Sequence, residues 1–506
     1  MRLTQGRVIY GLLPLWAAAG QTVFAAVAEQ AAPAVTTAPT DSPEAEVPAS
    51  RPAEEQDTDK EKSKESKPKE RNYYVASKAL GARPEPEPPS YVKTVDKYGF
   101  PGTEDLTWLE FGAEHRTRFE LRRDDYRLDL ENDDKFLLRS RAYIGIREIL
   151  DPFRFGFEFQ DARQFGSNFP ETDRDVDEND ILQLFGELYF KGALGQGRPL
   201  RFQVGRMSFE YVDRRLVGRN RWRNTVNAYD GFRLQLGRQA NDWQFDFFAV
   251  QPVERRLVRP DRSNEEQWLY GMVGAWRRWS RFITLEPYYF ILDQDGKGQT
   301  ADRELHTMGL HAYGDIGKTG FDYDVDVMFQ FGEDNHQDQC AFASFSEVGY
   351  TFKHKWKPRL SALVVYATGD RDPRDRKSER FDRLYGVGHP YSMMDIFELR
   401  NTISPALRVM LNPLEKLRVE SLYRVHWLAS DTDAWFGPVP QRRDRTGRSG
   451  DFVGQELEIS ARYQLLKQVE LEVGYAHFLP GPFVRNTGPS EDSDFFYVQT
   501  TVKLDR

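Results

Sequence analysis

The chain has 506 residues, a formal net charge of −9 and a hydrophobic share of 39%. Beyond the N-terminus it holds no apolar run of 18 residues, which excludes helical membrane spans, and it has no Lys/Arg cluster interleaved with aromatics, which argues against nucleic acid as a partner. A single cysteine, Cys340, excludes an internal disulfide and leans toward a fold stabilised by backbone hydrogen bonds around a closed ring.

Arg2 and Arg7 come first, followed by "VIYGLLPLWAAAGQTVFAAVA", and Ala26-Val27-Ala28 has the small-x-small form of a cleavage site. Residues 1–28 are therefore expected to be a signal peptide, with a short membrane anchor as the alternative. From Glu29 onward the chain is Ala/Pro/Thr-rich, then densely charged, then "ARPEPEPPS". Such a composition cannot bury a core, so residues 29–100 are expected to be a disordered periplasmic linker. Residues 29–90 are either a plain spacer or a tether to a periplasmic partner.

Residues 101–506 read as strands. In "FDYDVDVMFQF", 321–331, Phe321, Tyr323, Val325, Val327, Phe329 and Phe331 alternate with Asp322, Asp324, Asp326, Met328 and Gln330. A half-wet soluble sheet would also alternate. Eleven residues rising about 3.3 Å each at a tilt of about 40° climb roughly 27 Å, close to the apolar band of an outer-membrane barrel. Eighteen such segments recur, from 109–122 to 494–504, and their connections alternate short and long. "QAND" (239–242) and "NPLE" (412–415) are short; 207–230, 369–399 and 428–452 are long. A soluble sandwich has no reason to sort its loops this way. The fold class is thus all-β, a transmembrane antiparallel β-barrel of about eighteen strands behind a signal peptide and a disordered linker.

One face of each strand then meets water. Glu110, Glu114, Arg116, Arg118, Glu120 and Arg122 share a face of the first strand, and Arg139, Arg141 and Arg147 share one of the second. Charges of both signs in a narrow lumen select solutes by charge, and guanidinium suits carboxylates. The pathway residues expected are Arg116, Arg118, Arg139, Arg141 and Arg233, with Asp322, Asp324, Glu470 and Glu472 on the same inner surface. The alternative is that these charges only pair with each other.

Longer stretches carry a resemblance. "VGRMSFEYVDRRLVGRNRWRNTVNAYDGFRL" (204–234), "YATGDRDPRDRKSERFDRLYGVGHPYSMMDIFELRN" (366–401), "HWLASDTDAWF" (426–436), "GQELEISARY" (454–463) and "GYAHFLPGPFV" (474–484) resemble the alginate-export family of outer-membrane barrels, in family order. The resemblance implies an eighteen-stranded barrel and passive passage of an anionic uronate polymer through an arginine-lined pore. It implies pore-facing roles for Arg206 and Arg380. Two positions depart from the family pattern. Glu470 and Glu472 stand ahead of Phe478-Leu479-Pro480-Gly481 where the family carries arginines, and only Leu465-Leu466-Lys467 stands where it has a long gating loop.

Catalytic patterns are missing. The eight histidines form no close metal spacing, and His306 and His311, five apart, face opposite sides of a strand. Asp173, Asp175 and Asp177 have calcium-loop spacing, but Glu178 stands where such a loop needs glycine, so a solvated acidic loop competes with a weak Ca²⁺ site. The expectation is an outer-membrane channel of a Gram-negative-type bacterium for an anionic polysaccharide or small anionic solute, without cofactor or reaction. Its expected partners are outer-membrane lipid, lipopolysaccharide and the barrel-assembly machinery, which would read the last strand. A general diffusion porin, a barrel-borne enzyme on lipid or polysaccharide, and a plugged scaffold are the rivals.

Overall fold

The computed structural model describes residues 72–82, 85–279, 282–297, 301–372 and 374–504; the signal-peptide expectation for 1–28, and the linker expectation for 29–71, lie outside the described residues. Eighteen long strands follow one another: β1 Leu109–Asp125, β2 Glu131–Ile146, β3 Phe153–Phe165, β4 Asp177–Phe190, β5 Leu200–Met207, β6 Tyr229–Leu236, β7 Trp243–Glu254, β8 Gln267–Trp276, β9 Thr284–Gln294, β10 Arg303–Asp315, β11 Phe321–Asp334, β12 Gln337–Thr351, β13 Arg359–Ala367, β14 Thr402–Leu414, β15 Leu417–Trp427, β16 Phe452–Gln464, β17 Val469–Pro480 and β18 Ser493–Lys503. Each pairs antiparallel with the next, and β18 returns to β1 with Arg116 opposite Thr501. The ring is closed, so no row of backbone donors is left facing lipid. The expected all-β barrel is borne out.

Alternation sets the two faces. In β11, Asp322, Asp324 and Asp326 are buried inward, while Phe321 and Phe329 on the outer face are 45% and 54% exposed. Large apolar side chains stand out around the ring, among them Phe155, Phe232, Met308, Val364, Leu457 and Val498. Left in water they would cost roughly 1.5–3 kcal/mol each; acyl tails remove that cost. Where the inner face needs room, the sequence drops a side chain. A Cβ on Gly309 of β10 would lie 2.2 Å from the Tyr288 hydroxyl, so the Tyr288 ring crosses the bare backbone and donates to Asp326 at 2.8 Å.

Most of the connections sort by length. Turns such as 237–242, 415–416 and 465–468 lie at one end, and 208–228, 368–401 and 428–451 at the other. At the long-loop end, 126–130 and 335–336 are tight. Two long loops fold inward instead of standing outside. Loop 208–228 and loop 368–401 cross the lumen and bond to one another: Tyr385 N donates to Leu216 O at 2.9 Å and Val387 N to Arg214 O at 3.0 Å. Their apolar residues explain why. Leu216, Val217, Phe381 and Leu399 are buried in one cluster against inward Tyr229, Phe248, Phe290 and Phe345. Met393, Met394, Ile396 and Phe397 join a second with Tyr126, Trp435, Phe478 and Phe495.

The linker expectation needs correction over 72–82 and 85–100. This part is an ordered strap inside the short-turn half of the barrel. It begins at the rim, where Tyr73 N donates to Ala240 O at 3.0 Å. It ends on a short strand, Val92–Thr94, that pairs with β1, Lys93 opposite Phe111. β18 meets β1 only from Glu114 onward, so the short strand covers the edge of β1 left beyond the end of β18. Tyr91 and Tyr98 are buried. The composition is that of a loose linker, but its few tyrosines and carboxylates find partners that only the closed wall supplies.

Candidate functional site: the lumen and its strap

The site is built on alternation. Inward positions of β1 and β2 bring Glu114, Arg116, Arg118, Arg139 and Arg141 together, as expected, and all are buried. Their donors are mostly spent on the inward loop. Arg116 donates to the carbonyls of Arg221 at 2.9 Å and Arg223 at 2.9 Å, and Arg118 to that of Trp222 at 2.7 Å. Arg139 donates to Arg221 O at 3.2 Å and to Glu114 at 3.3 Å; Arg141 reaches Glu114 at 2.8 Å. These arginines hold loop 208–228 across the lumen, because carbonyls on a loop without regular structure need donors when buried.

Opposite them, Asp322 and Asp324 also face inward as expected and are paired. Asp322 accepts from Arg359 at 2.6 Å; Asp324 accepts from Arg215 at 2.8 Å and from Ser77 of the strap at 2.5 Å. Arg215 is on the inward loop, so β11 anchors its other limb. His311 is buried between Glu286 at 3.0 Å and Asp324 at 3.1 Å, whereas His306 lies outward, stacked on Phe331. The two do face opposite sides. Glu470 and Glu472 line the inner wall and meet Arg462 at 3.4 Å and 2.8 Å.

Three expectations are corrected. Arg206, two residues beyond the lipid-facing Val204, shares its face and so lies on the outer side near the long-loop rim, forked onto Asp230 at 2.9 and 3.0 Å. A family-like Gly-Arg ends the strand, but the pleat turns its side chain away from the lumen. Arg380 lies in loop 368–401 and is held by Asp433 at 2.6 Å beside Phe436, at the long-loop end and not along the bore. The Asp173, Asp175 and Asp177 set does not gather. Arg255 takes Asp173 at 2.9 Å, Lys135 takes Asp175 at 2.7 Å, and Asp177 accepts from Gln160 at 2.8 Å.

Sequence reasoning missed the strap's role. Glu85 and Glu87, in "EPEPP", enter the lumen. Glu85 meets Arg221 at 2.5 Å, and Glu87 accepts from Arg233 at 2.8 Å and from Arg201 at 3.1 Å. Burial alone would raise the Glu87 carboxyl; Arg233 and Arg201 outweigh it and hold it at about 2. Burial opposes the Glu85 carboxylate too, and Arg221 and Arg219 hold it far below the usual range. The signal available was two acids spaced by prolines that fix an extended chain.

The strap divides the lumen into two chambers. One, of about 450 Å³, is lined among the described residues by seven cationic and seven carboxylate side chains. The other, of about 500 Å³, lies against β14–β18, β1 and β2 and carries ten cationic side chains and six carboxylates. Arg408, Arg418, Arg462 and Lys503 stand on its wall. Arg418 and Arg462 keep 37% and 34% of their side-chain surface exposed, so solvent reaches them.

A closed barrel with a lipid-facing apolar girdle and a charged interior is an outer-membrane protein of the channel-forming class, in the outer envelope of a Gram-negative bacterium. The chain belongs to the alginate export family, whose model matches residues 107–498. Among solved structures, Pseudomonas aeruginosa OpdQ is similar at 12% identity and a TM-score of 0.53, over 78% of this chain and 98% of that one. Acinetobacter baumannii OccAB3 is similar at 13% identity and a TM-score of 0.53, over 78% and 99%. The outer membrane protein OprD from Pseudomonas aeruginosa is similar at 11% identity and a TM-score of 0.53, over 78% and 94%. At these identities the likeness is one of fold. No curated protein matches the chain in sequence.

Proposed function

We propose that this protein passes anionic solutes through the barrel by diffusion, without a reaction, along the wall formed by β14–β18, β1 and β2. The observation that carries this is the asymmetry of the two chambers: cations exceed carboxylates ten to six on that side and equal them on the other. Low-dielectric walls focus such an excess and favour counter-ions over co-ions. Family membership supports a uronate polymer as the solute. The pairing of Glu470 and Glu472 with Arg462 supports the broader reading, a small carboxylate, because two carboxylates against one guanidinium leave a net negative spot that a polyanion threading the wall would have to pass. We further propose that lipopolysaccharide meets the outer face, that the barrel-assembly machinery reads β18, and that a periplasmic partner acts on residues 29–90.

The test is the reversal potential of single channels in a planar bilayer under a KCl gradient. Preference for chloride supports the reading. It should shrink when Arg418, Arg462 and Lys503 are changed to Gln together. A preference for potassium in the unaltered protein, or a triple variant with unchanged selectivity, contradicts it.

A further inference from the structure

The strap is held in two different ways. Its far end is fixed: Val92–Thr94 is laddered to β1, Tyr98 donates to Phe111 O at 2.9 Å, and the Tyr91 hydroxyl donates to Glu158. Its near part rests on separate polar contacts with many walls and on the small apolar side chains of Ala79 and Ala82, buried against the lumen cluster. Ser77 donates to Asp324 at 2.5 Å, Lys78 meets Asp315 at 2.5 Å, and Leu80 N donates to Glu347 at 2.7 Å. A segment so held can leave the wall about Tyr91 without breaking the barrel's own ladder.

What it would leave behind is specific. Arg233 would keep Asp246 at 3.8 Å and the Tyr211 hydroxyl at 2.7 Å. Arg221 would keep Glu210 at 3.4 Å among its partners, and Arg201 would keep Glu187 and, at 2.9 Å, the Gln235 side-chain oxygen. The remaining carboxylates of Arg233 and Arg221, at 3.8 and 3.4 Å, are more distant than the strap carboxylates at 2.8 and 2.5 Å, and Arg201 keeps Glu187, which it shares with Gln203. Arg219 lies buried in the inward loop 208–228, 3.7 Å from Glu158 of the wall, and adds to the positive field. Glu85 and Glu87 approach as two carboxylates on one stiff, proline-fixed chain. That is the chemistry of neighbouring carboxylates on a uronate chain.

We propose that Arg201, Arg221 and Arg233 form a binding site for the paired carboxylates of a polyanionic solute, and that Glu85 and Glu87 occupy it as a built-in competitor until the strap is displaced. This rests on the channel reading above and adds to it a binding site and a resting state. A mobile anion then has two tasks on arrival. It replaces the strap's carboxylates, and in doing so it frees the passage that the strap divides. A neutral sugar cannot do the first.

The experiment uses the full chain in planar bilayers, unaltered and as the double variant Glu85→Gln, Glu87→Gln, with trigalacturonate as the probe. An emptied site should raise the open probability, and the probe should block the variant's current at roughly tenfold lower concentration, because the apparent affinity is no longer reduced by strap occupancy. Adding Arg233→Gln to the double variant should remove that block. Equal open probability and equal block in the unaltered chain and the double variant overturn the proposal alone. A chain that conducts in neither form overturns the channel reading and the proposal together.

Discussion

Trp222 and His389 stack face to face, ring centroids 3.8 Å apart and planes inclined by 13°, and this pair clasps the two loops that cross the lumen. The Arg118 guanidinium lies 4.2 Å from the Trp222 ring centroid, so the clasp is also tied to β1. Burial pushes the His389 imidazole down to about 4, and it therefore stacks as a neutral ring. Stacking, cation–π contact and burial act on one side chain here. Trp222→Ala should destabilise the loop crossing by roughly 3 kcal/mol while the eighteen-strand ladder survives. Hydrogen exchange should show faster exchange in 208–228 and 368–401 and unchanged exchange in β11 and β12. Equal protection of both loops in the variant would remove the clasp from the account.

Strap docking should depend on pH in a defined direction. Glu87 is held at about 2 in the docked state against an ordinary value of 4.5. Its folded value is depressed, so its contribution is fully present above about 4.5 and is lost as the pH falls toward 2. Glu85 is shifted the same way. Protease accessibility of 72–90 should therefore rise below pH 4.5 in the unaltered chain. The Glu85→Gln, Glu87→Gln variant should show most of that accessibility already at pH 7. A strap that becomes looser as the pH rises from 4.5 to 7 would have the sign reversed.

Gly309 makes a prediction for the wall itself. A methyl there meets the Tyr288 hydroxyl and the Val327 carbonyl, at 2.2 and 2.6 Å. Gly309→Ala should push Tyr288 off Asp326 and cost about 1–3 kcal/mol by overpacking. The unfolding temperature of the barrel, read from its heat-dependent mobility shift in detergent gels, should fall. Gly309→Ser should fall at least as far, since the added hydroxyl has even less room.

Arg206 separates this account from a simple arginine count. It lies on the outer face with Asp230, so Arg206→Ala should leave the reversal potential unchanged, whereas the Arg418, Arg462, Lys503 triple variant moves it. Loss of chloride preference in Arg206→Ala would mean that the solute meets a different surface from the one described.

The wall was legible in the sequence because a strand facing two solvents repeats every second residue; all eighteen segments, and the faces of Asp322, Asp324, Arg116 and Arg139, follow from that period. What fills the wall was not. Loop 208–228 carries no periodicity, and its position is set by Arg116, Arg118 and Arg139 reaching its carbonyls from more than 80 positions away in the chain. The same arginines therefore looked like a pathway and serve mainly as anchors. Arg206 was misplaced because a motif names a residue without naming the side of the pleat. The strap was misread because composition measures what a segment can bury by itself, and this one is ordered by partners in the closed ring. Asp173 and Asp175 have a suggestive spacing, yet Arg255 and Lys135 reach them first.

The most direct test of the central claim is solute entry into liposomes carrying the full-length protein, followed by swelling. Galacturonate, at the same osmolarity as galactose, should enter faster, and the difference should narrow when Arg418, Arg462 and Lys503 are all Gln. Entry of galactose at the rate of galacturonate or above it would contradict an anion-passing lumen.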